Sequence, residues 1–209
     1  MLMKTLVMIA VICSALFLFR VVFSSFKSYE EPFYQVQQGW GHIQIRHYQA
    51  HHLVSTDISG NKEYALRQGF KRLAAYIFGG NAKQQYISMT APVMLESHAM
   101  NWRVSFLLPR AYALDSLPKP NDTVVFLHHQ EPGHYAVIKF SGRARLKNFM
   151  EKRRVLEHFL TKNNCLDQGR VVYAFYNPPW TLPFLRRNEV WIELGKSCQH
   201  LNVSKSKKP

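Results

Sequence analysis

Downstream of residue 33, apolar and polar positions alternate in short runs, over residues 34–38, 42–47 and 52–58. A period of two marks extended chain with one face turned inward. In the second run Ile43, Ile45 and His47 share one face, and Gln44, Arg46 and Tyr48 share the other. The period then lengthens. Leu66, Phe70, Leu73 and Ile77 recur at spacings of four, three and four, which predicts a helix over residues 61–78 with one apolar stripe. Ser59 or Asn61 can cap its start, and Gly79-Gly80 supply a left-handed stop. Strands are expected next at 86–89 and 103–108.

The second half repeats this order. Strands are expected at 124–128 and 135–141, and a helix at 143–162 with Leu146, Phe149, Leu156 and Leu160 on one side. Asn163-Asn164 end it, a strand at 171–176 leads to Pro178-Pro179, and a last strand covers 189–194. The two helices start about 80 residues apart, and each is followed by a strand and a proline-containing turn. That spacing predicts an internal duplication of a strand-strand-helix-strand unit. Two such units give an α+β fold, a curved and mostly antiparallel sheet with two main helices. The stretch 114–122, with Pro118 and Pro120, joins the halves.

Composition narrows the class without naming a chemistry. Apolar residues make up 47% and charged residues 19%, which is globular rather than disordered. Lys and Arg number 27 against 13 Asp and Glu. The basic residues are mostly spread out, and no helix-turn-helix, zinc-finger or RNP-like pattern accompanies them, so a nucleic-acid partner is not expected. An anionic membrane or a carboxylate-bearing ligand explains the same excess. At the N-terminus Lys4 precedes an apolar run to Phe19, with Arg20 before Val21-Val22-Phe23. Residues 1–28 therefore read as a membrane anchor or a signal segment, which puts the domain at 29–196 on the exported (periplasmic or extracellular) side, or secreted after cleavage. Residues 197–209 form a basic tail. Cys165 and Cys198 can pair in an oxidising compartment, and the spacing of the three cysteines excludes a CxxC site.

Several separated segments carry a resemblance. These are Ile43-Gln44-Ile45-Arg46-His47-Tyr48, Met89-Thr90-Ala91-Pro92-Val93, Tyr176-Asn177-Pro178-Pro179 and Arg186-Arg187-Asn188-Glu189-Val190-Trp191, with Gln68-Gly69-Phe70 and Gly80-Asn81 between them. In this order they resemble the SOUL haem-binding family over roughly residues 30–196. The resemblance implies a distorted barrel-like sheet flanked by two helices, and non-covalent, reversible haem as the ligand. It implies an open apolar groove alongside the first helix, at positions Leu66, Phe70, Leu73, Ala74 and Ile77, and the loop before the last strand, here with Trp180 and Phe184 to stack on a ring. Arg67 matches a basic residue assigned to the haem propionates, and Arg72 lies on the same helix. Relatives carry a lysine where this chain has Ala75. His47 falls on the histidine proposed as axial iron ligand in one branch, and a strand-end histidine bonded to a neighbour fits the residues equally.

Other constellations carry less. Arg186-Arg187-Asn188-Glu189 reads as a surface hydrogen-bond network at the start of a strand, with Asn188 in the turn. His42, His47, His51 and His52 cluster locally, but alternation points His51 and His52 to opposite faces. Glu30-Glu31 reads as a solvated linker. GxSxG, HExxH, P-loop, GxGxxG and CxxCH patterns are absent, so no catalytic residue is expected. Two rival functions remain for the same groove: a GyrI-like effector-binding module or small-molecule hydrolase, for which Glu63 is the nearest acid, and a protein-interaction module.

Overall fold

The computed structural model describes residues 29–202, so the expected N-terminal anchor and most of the basic tail lie outside the described residues. Nine antiparallel strands form one curved sheet among those residues. They are β1 (Tyr34–Trp40), β2 (Ile43–Tyr48), β3 (His51–Ile58), β4 (Val93–His98), β5 (Asn101–Leu107), β6 (Val125–Gln130), β7 (Gly133–Phe140), β8 (Gln168–Phe175) and β9 (Asn188–Leu194). Two helices, α1 (Lys62–Ile77) and α2 (Leu146–Lys162), lie against it. No helix among the described residues is long and apolar enough to cross a membrane.

The strand order is β1-β2-β7-β9-β8-β4-β5-β3-β6. Read outward from the central β8–β4 pair, it runs β8-β9-β7-β2 on one side and β4-β5-β3-β6 on the other. The expected duplication is therefore visible in the topology, with an exchange: β2 pairs with β7 of the second half, and β6 pairs with β3 of the first. Helix α1 packs on β3 and β5, and α2 on β7 and β9. Each helix thus covers its own half.

Alternation separates the sheet into two buried faces. Ala136 and Ile138 face the helices, in a core with Leu73, Tyr76, Ile77, Phe149, Leu156 and Leu160. Tyr135 and Val137 face the opposite side, in a second buried cluster with Tyr48, Leu53, Tyr176 and Trp191. There Tyr48 stacks on Trp191 with ring centroids 4.7 Å apart and meets Tyr135 edge-on at 5.5 Å.

The first helix follows its expected limits. Asn61 Oδ1 accepts from the Tyr64 N–H at 2.9 Å, and Gly79 takes φ +104° just past the end. The strand expected at 86–89 does not form. Only isolated pairings, Phe78 with Tyr86 and Glu30 with Thr90, mark this stretch. The Asn81 side chain takes over the local backbone, accepting from the Lys83 and Gln85 N–H groups and donating to the Tyr76 and Gln85 carbonyls. A strand forms instead at β4, where Met94, Leu95 and Glu96 are all buried, so no period of two is visible. The second helix starts at Leu146 rather than 143, which leaves Arg143 before it and Arg145 at its N-cap.

One residue of α1 sets its distance from the sheet. A Cβ at Gly69 would lie 2.4 Å from Val104 Cγ2. Gly69→Ala should gain helix propensity but lose more through forced repacking, a net destabilisation of about 1–3 kcal/mol. Urea denaturation checks this, and a variant more stable than wild type would contradict the contact.

Candidate functional site

The expected groove residues on α1 divide between two environments. Leu73 and Ile77 are core side chains, 0% and 2% exposed, and so cannot line a ligand site; they face β3 and β5 as the apolar stripe of a packed helix does. Leu66 and Ala74 are half-buried, and Phe70 is 40% exposed with its ring edge-on to Phe106 at 5.3 Å. Arg67 and Arg72 are exposed, and Arg72 Nε stands 3.8 Å from an Asp122 carboxylate oxygen. The loop between β8 and β9 exposes Trp180 by 82% and Phe184 by 70%. Its shape is held from inside: Arg186 donates to the Thr181 carbonyl at 2.6 Å and to the Pro179 carbonyl, and Gly142 N–H donates to the Pro183 carbonyl at 2.8 Å.

A cleft of about 770 Å³ opens where the starts of the two helices converge. Trp102, Leu146 and Met150 give it an apolar lining, Lys62, Lys147 and Arg154 bring cations, and Glu63 and Glu151 bring two carboxylates. Lys62 Nζ lies over the Trp102 ring at 4.8 Å and over Tyr173 at 5.3 Å. Leu66 and Phe70 follow Lys62 at spacings of four, so they continue the same face of α1 away from the cleft. On α2, Leu146, Met150 and Arg154 form the matching row. Sequence reasoning missed this second wall. The four-residue spacing was present in the chain, but nothing in it indicated that the two helix starts would meet.

His47 sits elsewhere. It is half-buried on β2, and its ring lies 4.6 Å from that of His134 across the ladder. Burial, and then the adjacent His47, hold His134 below the usual imidazole range. The ladder neighbours of β2 are β1 and β7, whereas α1 covers β3 and β5. From β2 to β5 is five steps along the sheet, roughly 24 Å of surface. The fold therefore does not bring His47 together with Leu66 and Phe70.

Three of the segments shared with the SOUL pattern, those holding Arg46, Tyr176 and Arg187–Trp191, instead meet at a buried carboxylate. Glu189 is fully buried and accepts from Arg46 Nη1 and Nη2 at 3.0 and 3.2 Å, and from Arg187 Nε at 2.9 Å. It also accepts from the Tyr176 hydroxyl at 3.0 Å and Trp191 Nε1 at 2.8 Å. Burial alone would raise its pKa, but Arg46 and Arg187 outweigh it and hold the group below the usual carboxylate range. The Arg-Arg-Asn-Glu run is thus a buried network rather than a surface pair. Arg187 Nη1 reaches Glu31 Oε2 at 2.7 Å, and Arg110 Nε reaches Glu30 Oε1 at 3.0 Å. The two acids are therefore bound to the domain and are not a free linker.

A family model described as SOUL heme-binding protein matches residues 29–193. The chain belongs to the SOUL haem-binding family. Relatives include Heme-binding protein 2 of Homo sapiens, 31% identical over 161 residues, spanning 73% of this chain and 78% of the relative. Heme-binding protein 1 of Xenopus tropicalis is 28% identical over 154 residues, spanning 70% and 80%. Among solved structures, the EcmrR C-terminal domain superposes with TM-score 0.59 at 9% identity, covering 78% of this chain and 99% of that one. A hydrolase from Listeria innocua gives 0.50 at 9%, covering 73% and 91%. At these identities the two structures establish shared fold alone.

Haem is the ligand class of the SOUL family, and the helix cleft suits it chemically. A porphyrin needs apolar walls and cations for two propionates. Trp102, Leu146 and Met150 would wall the ring, and Lys62, Lys147 and Arg154 would take the carboxylates. Of these, Met150 carries a donor type found on haem iron.

Proposed function

We propose that this chain holds haem non-covalently and reversibly in the cleft between the starts of α1 and α2, and buffers or transfers it at the cell envelope. The observation that carries this reading is the combination of an apolar lining (Trp102, Leu146, Met150) with three cations, against two carboxylates (Glu63, Glu151), in a cleft of about 770 Å³. That volume lies within the range of small-molecule sites. Burying one porphyrin face there removes on the order of 200 Å² of apolar surface, several kcal/mol of affinity. Glu63 and Glu151 also line the cleft, so a hydrolytic reading of the same site would have to use one of these carboxylates. In this reading His47 is not the axial ligand.

The envelope location rests on two supports. One is the apolar run from Thr5 to Phe19, read as an anchor. The other is the Cys165–Cys198 disulfide, Cα atoms 4.9 Å apart, since such bonds persist in oxidising compartments.

Titration of the detergent-solubilised full chain with haem, followed at the Soret band, tests the site. Wild type should saturate at low micromolar haem. Met150→Glu, which puts a charge against the ring, should weaken binding by about tenfold or more, near 1.4 kcal/mol. His47→Ala should leave band and affinity unchanged. Loss of binding in His47→Ala with Met150→Glu intact would overturn the cleft assignment.

A further inference from the structure

We propose that His52 and His129 form a cross-strand binding site for a divalent first-row transition metal, separate from the haem cleft. The two residues are register partners on β3 and β6, so both side chains stand on one face of the sheet. Their Nδ1 atoms lie 3.3 Å apart, with ring centroids 5.1 Å apart and ring planes at 55°. Two imidazole nitrogens bound to one tetrahedral ion at about 2.0–2.1 Å stand about 3.3–3.4 Å from each other. The pair is thus spaced as a chelate. Without an ion, one Nδ1 must carry a proton and donate it to the other, over a distance long for a hydrogen bond.

A third residue orients the pair. Glu131 Oε1 lies 3.6 Å from His129 Nε2, behind the ring. A carboxylate there favours the tautomer with its proton on Nε2, which leaves the Nδ1 lone pair directed at His52. Metal-binding histidines are held in this way. The site is reachable, because β6 is the sheet's edge strand and His129 has a 40% exposed side chain. Among the described residues no group of three metal-donor side chains converges, so the remaining coordination positions go to water or an incoming ligand. Such a site is open and exchangeable, and it follows the order that places Cu²⁺ above Zn²⁺. His51 takes no part: its Nδ1 pairs with the Gln49 carbonyl at 2.8 Å, on the other face.

The test is a Cu²⁺ titration and a Zn²⁺ titration of the tag-free full-length chain, each in competition with a chromophoric chelator. Wild type should bind one equivalent of either ion, the Cu²⁺ more tightly. His52→Ala and His129→Ala should each lose about tenfold or more in affinity, Glu131→Gln several-fold, and His134→Ala nothing. Unchanged melting temperatures would show that the variants fold. If both alanine variants bind as wild type does, or if His134→Ala removes the site, the proposal is overturned.

Discussion

Arg46→Met should destabilise the domain by about 3 kcal/mol or somewhat more, and the deficit should shrink in acid. The variant keeps the volume of the side chain but removes two donors and a positive charge from a carboxylate with no exposure to water. Breaking a buried pair from one side leaves the other charge undercompensated, which costs about 3–5 kcal/mol. Arg187, Tyr176 and Trp191 still donate to Glu189, which places the expected cost toward the lower end. The pH dependence has a definite sign. Glu189 is held below its unfolded pKa, so the folded state binds fewer protons and its contribution is complete above about pH 4.3. As pH falls through the folded value that contribution drains away, in wild type more than in the variant. Urea midpoints of the two proteins should therefore be well separated at pH 7 and should begin to converge only as pH falls below about 4.3. A constant gap across that range would mean that the loss is one of packing alone.

The second large effect concerns the disulfide. Cys165 follows α2, and Cys198 lies in the short helical turn after β9; both are fully buried. The bond closes a loop across a sequence separation of 33, which in the chain-entropy account stabilises by about 4 kcal/mol. Replacing both cysteines by alanine should lower stability by about that amount, seen as a drop in urea midpoint. A reductant should shift wild type by a similar amount and leave the double variant unmoved. Equal stability of wild type and the double variant in non-reducing buffer would contradict this.

What the chain made readable follows from how its local patterns were used. Half-exposed strands such as β2 show a period of two, and α1 shows its stripe, cap and stop. Strand β4 did not, because burial on both faces erases the alternation. The stretch at 86–89 has the residues of a strand, but it runs on from a turn that Asn81 organises and makes only isolated pairings, Tyr86 with Phe78 and the Ile87 N–H with the Ile77 carbonyl. The duplication was legible in the spacing of the helices, while the exchange of β2 and β6 between halves is a long-range pairing that no local pattern encodes. The same limit applied to the site. Three of the segments that identify the family turned out to surround Glu189, a structural centre, and Leu73 and Ile77 proved to be core. The cleft at the helix starts depends on α1 and α2 meeting above Trp102, which only the assembled sheet determines.

The central claim is the place of the haem. Paramagnetic broadening of backbone amide signals by ferric haem, in the isotopically labelled full chain in detergent, measures it most directly. The cleft account predicts loss of signals around Lys62, Trp102 and Met150, with those of His47 and His134 retained. Broadening centred on His47 and His134, with the helix starts untouched, would contradict it.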